Sequence, residues 1–326
     1  MSEHDNDYLW DKSGPVDPEI QRLEMLLAPY RCGNLSPLAL PKRRAWLFLP
    51  PFVLAGAVAA MVVMVGAWFV LRAVSAQTWT VSVLAGEGRL GAQAFSGSAR
   101  LRAGEVFETG AGATARIRMP VGRLDVEPNT SLRLIESKRN QQRLSLLRGT
   151  IHARVSSPPR VFIVDTPSAV ATDLGCAYTL HVDPSGDGLL RVTHGWIELE
   201  WRERGSLVPT GAVAVMRAGA GPGTPFFEDS SESFRAALSA YDFPPHGQPR
   251  SRALEQALHS AGPHDAVSLL NLVRNAPSSD RGVVYDTLAR LVPPPAGANR
   301  AAALAGDPRA LDPWWPAVGI GHAPAK

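Results

Sequence analysis

Three hydrophobic rhythms divide the chain. The first is no rhythm at all: 26 consecutive residues, Trp46 to Leu71, carry no charge and follow Lys42-Arg43-Arg44 with only Ala45 between. About 20 apolar residues cross the hydrocarbon core of a bilayer. Trp46 and Phe48 mark one end and Trp68 and Phe69 the other, where aromatic rings favour the headgroup level. Pro50 and Pro51 fall in the first turn, where a missing N–H matters least. The run predicts one transmembrane helix over 46–72. Ala73, Ser75 and Ala76 resemble a signal-peptide cleavage site, but the preceding region and apolar core are too long for one.

The second rhythm has period two. Trp79 to Leu84, Ala115 to Met119, Ser131 to Leu134, Gln142 to Leu146 and Ile197 to Glu200 alternate apolar and polar residues. Glycines punctuate them, so 79–225 predicts an all-β domain of short antiparallel strands, either a sandwich or a β-coil. The third rhythm is helical. After the Gly/Pro-rich Ala218 to Pro225, apolar stripes over Ser251–Ala261, Pro263–Asn275 and Ser279–Leu291 predict a small helical region over 226–315. Ser279 and Asp280 read as a cap, and Pro277 and Pro293 to Pro295 as stops. Residues 316–326 read as disordered.

The first 45 residues are too few for a core, yet Asp17-Pro18-Glu19 is a helix start and Ile20, Leu23, Leu26 and Leu27 follow at helical spacing. A short amphipathic helix over 18–31 is expected, marginal alone. Its stripe requires a protein partner, a membrane surface or a second copy. Arg22 and Arg31 are offset by Glu19 and Glu24, which favours a protein over an anionic membrane. Trp10, Leu23, Leu26, Leu27 and Tyr30 are the candidate contact residues.

Charge and composition narrow the picture. The three bases before the span, against Arg72 alone just after it, place 1–45 in the cytoplasm and the rest outside. A net charge of +3 gives no case for nucleic acid. Cys32 and Cys176 lie on opposite sides of the span, so no disulfide or cysteine metal site is expected. Gly86 to Gly91 spells G-x-G-x-x-G without a βαβ setting and reads as a turn. His152, His181 and His194 have no ligand spacing. Asp183 to Gly188 reads as a hairpin loop, and Cys176 as a buried small hydrophobe. No catalytic constellation, cofactor or metal is expected.

The order of motifs within the β region carries a resemblance. Leu147 to Val155 is followed by Arg160 to Pro167, with Phe162, Val164, Thr166 and Pro167 in the pattern F-x-V-x-T-P. Then come Val170 to Leu180 and Val192 to Ile197. Together with Gly112 to Leu132 this resembles the FecR-domain family over roughly 79–225. The resemblance makes Gly149, Phe162, Thr166, Pro167, Gly175, Tyr178 and Gly195 structural motif residues. Cys176 and Tyr178 stand where the family usually has Thr and Phe. Tyr285 to Gly297 and Leu311 to Trp315 are similar to the tail of some FecR-like proteins, with Trp314 and Trp315 an exposed recognition anchor or packed back on the domain.

The resemblance implies a single-span, non-enzymatic regulator in a bacterial cytoplasmic membrane. Its exported domain would meet an envelope protein or the signalling domain of an outer-membrane transporter. Its cytoplasmic part would hold or release an extracytoplasmic-function sigma factor. The tail here is about half the length usual for the family. The alternative is a membrane-anchored envelope scaffold or ligand-binding module with no role in transcription.

Overall fold

Alternation from Trp79 onward folds as two β layers that share one strand. The computed structural model describes residues 18–30, 61, 64, 78–245 and 249–320. The first sheet orders Ser98–Leu101 (β4), Trp79–Ala85 (β1), Thr114–Met119 (β6), Gly122–Val126 (β7), the second half of Gln141–Val155 (β9), Ala177–Val182 (β12), Gly188–His194 (β13) and Ala212–Arg217 (β16). The short Gly221–Pro222 (β17) and Phe226–Phe227 (β18) both pair with β16. The second sheet orders Gln93–Phe95 (β3), Gly88–Leu90 (β2), Val106–Thr109 (β5), Ser131–Lys138 (β8), the first half of β9, Phe162–Asp165 (β10), Val170–Asp173 (β11), Trp196–Trp201 (β14) and Arg204–Pro209 (β15).

The expectation of antiparallel pairing holds with one exception. β10 runs parallel to β9, because β9 leaves the second sheet half-way along and the chain must cross back to rejoin it. The crossing is built at Gly149, with φ +96°. A Cβ there would lie 2.3 Å from Thr130 Oγ1. Before the bend Leu144 and Leu146 face inward; after it Ile151 and Ala153 do. The parity of the inward face therefore changes across the bend, which a plain alternation cannot encode. Both sheets fill one core, from Trp79, Ile117 and Leu124 on one side to Phe107, Leu132 and Phe162 on the other. Trp79 is fully buried, packs against Phe162 with the rings tilted and 6.2 Å apart, and donates from Nε1 to Ser137 Oγ (3.1 Å) and Gln142 Oε1 (3.0 Å).

The helical layer is larger than its three stripes predict. Arg250–Ser260, Ala266–Asn275 and Ser278–Leu291 lie close to the expected spans, joined by Glu232–Asp242, Arg300–Ala305 and Trp314–Ala317. The α-helices described over their full length are α1 (Pro18–Leu27), α2 (Glu232–Asp242), α3 (Arg250–Ser260), α4 (Ala266–Asn275), α5 (Ser278–Leu291), α6 (Arg300–Ala305) and α7 (Trp314–Ala317). Ser279 and Asp280 do not cap α5. Pro277 takes the cap position, so it begins this helix as much as it ends α4. Residues 316–320 continue α7 and its closing turn, so the expected disordered tail starts too early; 321–326 lie outside the described residues.

The expected membrane span falls almost wholly outside the described residues; within it only Met61 and Met64 are described, both helical. Among the described residues no helix is long and apolar enough to cross a membrane.

Candidate functional site

α1 begins as its sequence indicates, with Pro18 at the first position and Glu19 in the first turn. It ends at Leu27, earlier than the expected residue 31, and passes into a single 3-10 turn over Ala28–Tyr30. Pro29 is the reason: it cannot donate to the preceding turn, and it disfavours α geometry at Ala28. None of the ten residues of α1 is buried. Leu23, Leu26 and Leu27 are 57%, 65% and 58% exposed. Ile20 sits beside them on the same stripe, while Met25, also exposed, projects from the other side. Trp10 lies outside the described residues, and Tyr30 closes the 3-10 turn. A ten-residue helix with three adjacent exposed leucines suits docking into an apolar groove. Burying each would contribute roughly 2 kcal/mol, set against the cost of ordering a short helix.

The motif residues of the β domain are structural, and the structure brings several of them together. Gly195 has φ +77°, and a Cβ there would come within 2.3 Å of the Gly175 carbonyl oxygen and 2.9 Å of Cys176 Cβ. Gly175 donates its N–H to Asp173 Oδ1 at 2.7 Å, and the Cys176 thiol donates to Asp173 Oδ2 at 2.6 Å. Asp173 is buried. That burial pushes its carboxyl up to about 6, against the pull of those hydrogen bonds. Burial likewise raises the Cys176 thiol, with the Asp173 charge adding to it. A thiol held protonated is no nucleophile, so Cys176 packs as the sequence suggests. Tyr178 is buried, and its hydroxyl finds no hydrogen-bond partner among the described residues. Burial raises it too. Phe162 is core, and Thr166 Oγ1 accepts from the Ala169 N–H (2.9 Å) and donates to its carbonyl (2.7 Å), closing the turn that holds Pro167.

The remaining polar candidates sit in ordinary structural roles. His152 contacts Thr179 Oγ1 (2.9 Å) and Glu127 (2.7 Å), and His181 contacts Thr150 Oγ1 (2.9 Å). Asp183 Oδ1 accepts from the N–H of Ser185 (2.8 Å) and Asp187 (3.1 Å), which makes 183–187 the hairpin loop expected there.

Trp314 and Trp315 are not an exposed anchor. Both are buried: Trp315 meets Trp196 edge-to-face at 5.4 Å, and Trp314 meets Tyr285 in the same way at 5.6 Å. They fill the space between helices and sheet, where Trp196 of β14 joins the helical core while its neighbours Ile197 and Leu199 face the β core.

Sequence reasoning missed the joint between β15 and α4. The free edge of β15 is closed by two asparagines one helical turn apart. Asn271 accepts from the Leu207 N–H (2.8 Å) and donates to its carbonyl (3.1 Å). Asn275 does the same to Gly205, at 3.3 and 2.8 Å. Side-chain amides thus stand in for another strand, which keeps this edge from pairing with other chains. Beside them the buried Glu198 lies between Arg274 (3.1 Å) and Arg160 (3.0 Å). Arg204 reaches the buried Asp242 at 3.1 Å, and Thr224 donates its N–H to Asp242 Oδ2 at 2.6 Å. The one available signal was Asn271 and Asn275 at i, i+4 in a helix rich in apolar residues.

Residues 105–198 match the family model described as FecR protein. The resemblance carried by the motif order is borne out over that stretch, which runs from the edge of β5 into β14. No curated protein matches the chain. Among solved structures, two crystal structures described as a candidate anti-sigma factor from Parabacteroides distasonis ATCC 8503 are similar. One is 15% identical, with 40% of this chain and 63% of that chain covered and a TM-score of 0.33. The other is 17% identical, with 41% and 64% covered and a TM-score of 0.34. The similarity therefore spans less than two thirds of that protein.

Proposed function

We propose that the protein is a FecR-type transmembrane regulator that controls a sigma factor of the extracytoplasmic-function class. The observation that carries this reading is the FecR match over 105–198, set in a chain whose 26-residue uncharged run separates a short tail from the β domain. In this reading α1 is the sigma-factor contact, made through Leu23, Leu26 and Leu27, with Trp10 and Tyr30 flanking it. The β domain and its helical layer are the exported receiver for an envelope signal. Coupling requires the outside event to favour one of two states of the tail.

The test is a pull-down with the full chain in detergent from the cytosol of the source bacterium, compared with the Leu23→Asp, Leu26→Asp double variant. A sigma factor recovered by the unaltered chain and lost from the variant is the expected result. Equal recovery by both would remove α1 from the contact. Recovery of no sigma factor would instead favour a membrane-anchored envelope scaffold.

A further inference from the structure

One end of the β domain carries a row of arginines without acidic partners. The register sets Arg100 of β4 opposite Thr80 of β1, and Thr80 opposite Arg118 of β6. Arg118 is in turn opposite Arg123 of β7, and Arg123 opposite Arg154 of β9. Directly opposed residues share a face, and all five are exposed. Like charges directly opposite one another across strands are unfavourable, and neighbouring strands lie only about 4.8 Å apart. Even so, three arginines stand side by side. Among the described residues none of the four arginines forms an ion pair.

The adjacent outward row shows what the fold does elsewhere. Two residues further along, Ser82 and Ser98 share a hydrogen bond (3.1 Å), Arg116 pairs with Asp125 (2.6 Å), and His152 is held by Thr179 and Glu127. Charge is balanced there and left unbalanced in the arginine row. Arg116, Arg118, Arg123 and Arg154, with Met119 and Gly122, line an open groove of about 470 Å³. The same end adds Arg102 just past β4 and Arg139 at the β8–β9 turn, which Trp79 ties to the start of β1 through Ser137. Its acids are engaged: Glu136 pairs with Lys138, and Glu105 accepts from the Arg102 N–H.

This is also the end at which the chain enters the domain. Thr80, inside the row, comes nine residues after Leu71, the last residue of the uncharged run. Nine residues reach at most about 30 Å. Forked guanidinium groups suit phosphate, and bases are drawn to an anionic bilayer when they lie near its surface. From the register, the missing counter-charge and the point of entry, we infer that the arginine row is a docking surface for anionic phospholipid headgroups. It rests this end of the β domain on the membrane. The inference depends on reading 46–72 as a span.

The test uses the full chain in nanodiscs. A donor dye is placed at Ser156→Cys, beside the row, in a Cys32→Ser background, and acceptors are placed on lipid headgroups. With roughly one third phosphatidylglycerol, energy transfer should exceed that in pure phosphatidylcholine at least about twofold, and high salt should remove the excess. Arg118→Glu, Arg123→Glu, Arg154→Glu together should abolish the excess, while the corresponding triple lysine variant keeps it. Circular dichroism of both variants checks the fold. Equal transfer in the two lipids, or transfer indifferent to charge reversal, overturns the inference. Binding of polyglutamate through the same three arginines would then assign the row to an acidic protein. Flotation scores insertion separately: a chain that never enters nanodiscs overturns the span reading, and the docking with it.

Discussion

At the scale of single residues, Gly195 and Asp173 show how closely the β domain is built around its motif. Gly195 combines a left-handed backbone with a carbonyl 2.3 Å from where a Cβ would stand. Gly195→Ala should therefore destabilise the domain by about 2 kcal/mol or more, from backbone strain and that close contact together, as read by urea unfolding. Asp173 makes a different prediction. Its carboxyl titrates near 6 in the fold, above the ordinary carboxylate range, because burial disfavours the charge. Its contribution is thus fully present at acid pH and is lost as pH rises through about 6. Comparing the unaltered protein with Asp173→Asn between pH 4 and 7 should isolate a slope of this sign, worth up to about 3 kcal/mol. A difference that is flat with pH would mean the carboxyl is not held protonated. The motif glycines were legible because their order is specific. The Asp173 environment was not, since nothing in Asp-Leu-Gly-Cys announces which carboxylate will be dry.

At the scale of elements, α4 and β15 form the joint on which the helical layer depends. Asn271 is fully buried and satisfies both backbone groups of Leu207. Asn271→Ala would leave that donor and acceptor unpaired, at a loss of at least about 2 kcal/mol, and amide exchange at Leu207 should quicken. Asn275→Ala, at a partly exposed position, should lose about 1 kcal/mol. Equal effects of the two substitutions would contradict this account. The helical period of α4 was legible from Leu269, Leu270 and Val273. The role of its asparagines was not, because an apolar helix with polar interruptions reads the same whether they face water or a strand edge. α1 was legible in type but ended early at Pro29, a local stop that outweighed the apolar stripe continuing past it.

At the scale of the whole molecule, the β domain and the helices are one folding unit over 78–320. Leu174, Trp196 and Leu207 of the β domain belong to the same core as Phe234, Leu270, Val284 and Trp314. Arg274–Glu198 and Arg204–Asp242 cross the same boundary. A chain truncated after Asp229 should expose that face and lose soluble yield. Residues 78–320 should unfold in one transition, superimposable by circular dichroism and tryptophan fluorescence. Two separated transitions, or a soluble and equally stable truncation, would contradict a shared core.

The sequence by itself determined the uncharged run, the change of period at Trp79, the helical period beyond 225 and the motif order of a FecR domain. Each is a local or ordered pattern that survives without knowing what touches what. Only the tertiary structure decided three further points. β9 serves two sheets and changes its inward parity at Gly149. Trp314 and Trp315 are buried rather than offered to a partner. Four arginines from four different strands align in one row with no acid among them. All three depend on strand register and on which faces meet, and register is set by the cooperative packing of residues far apart in the chain, which no local pattern carries.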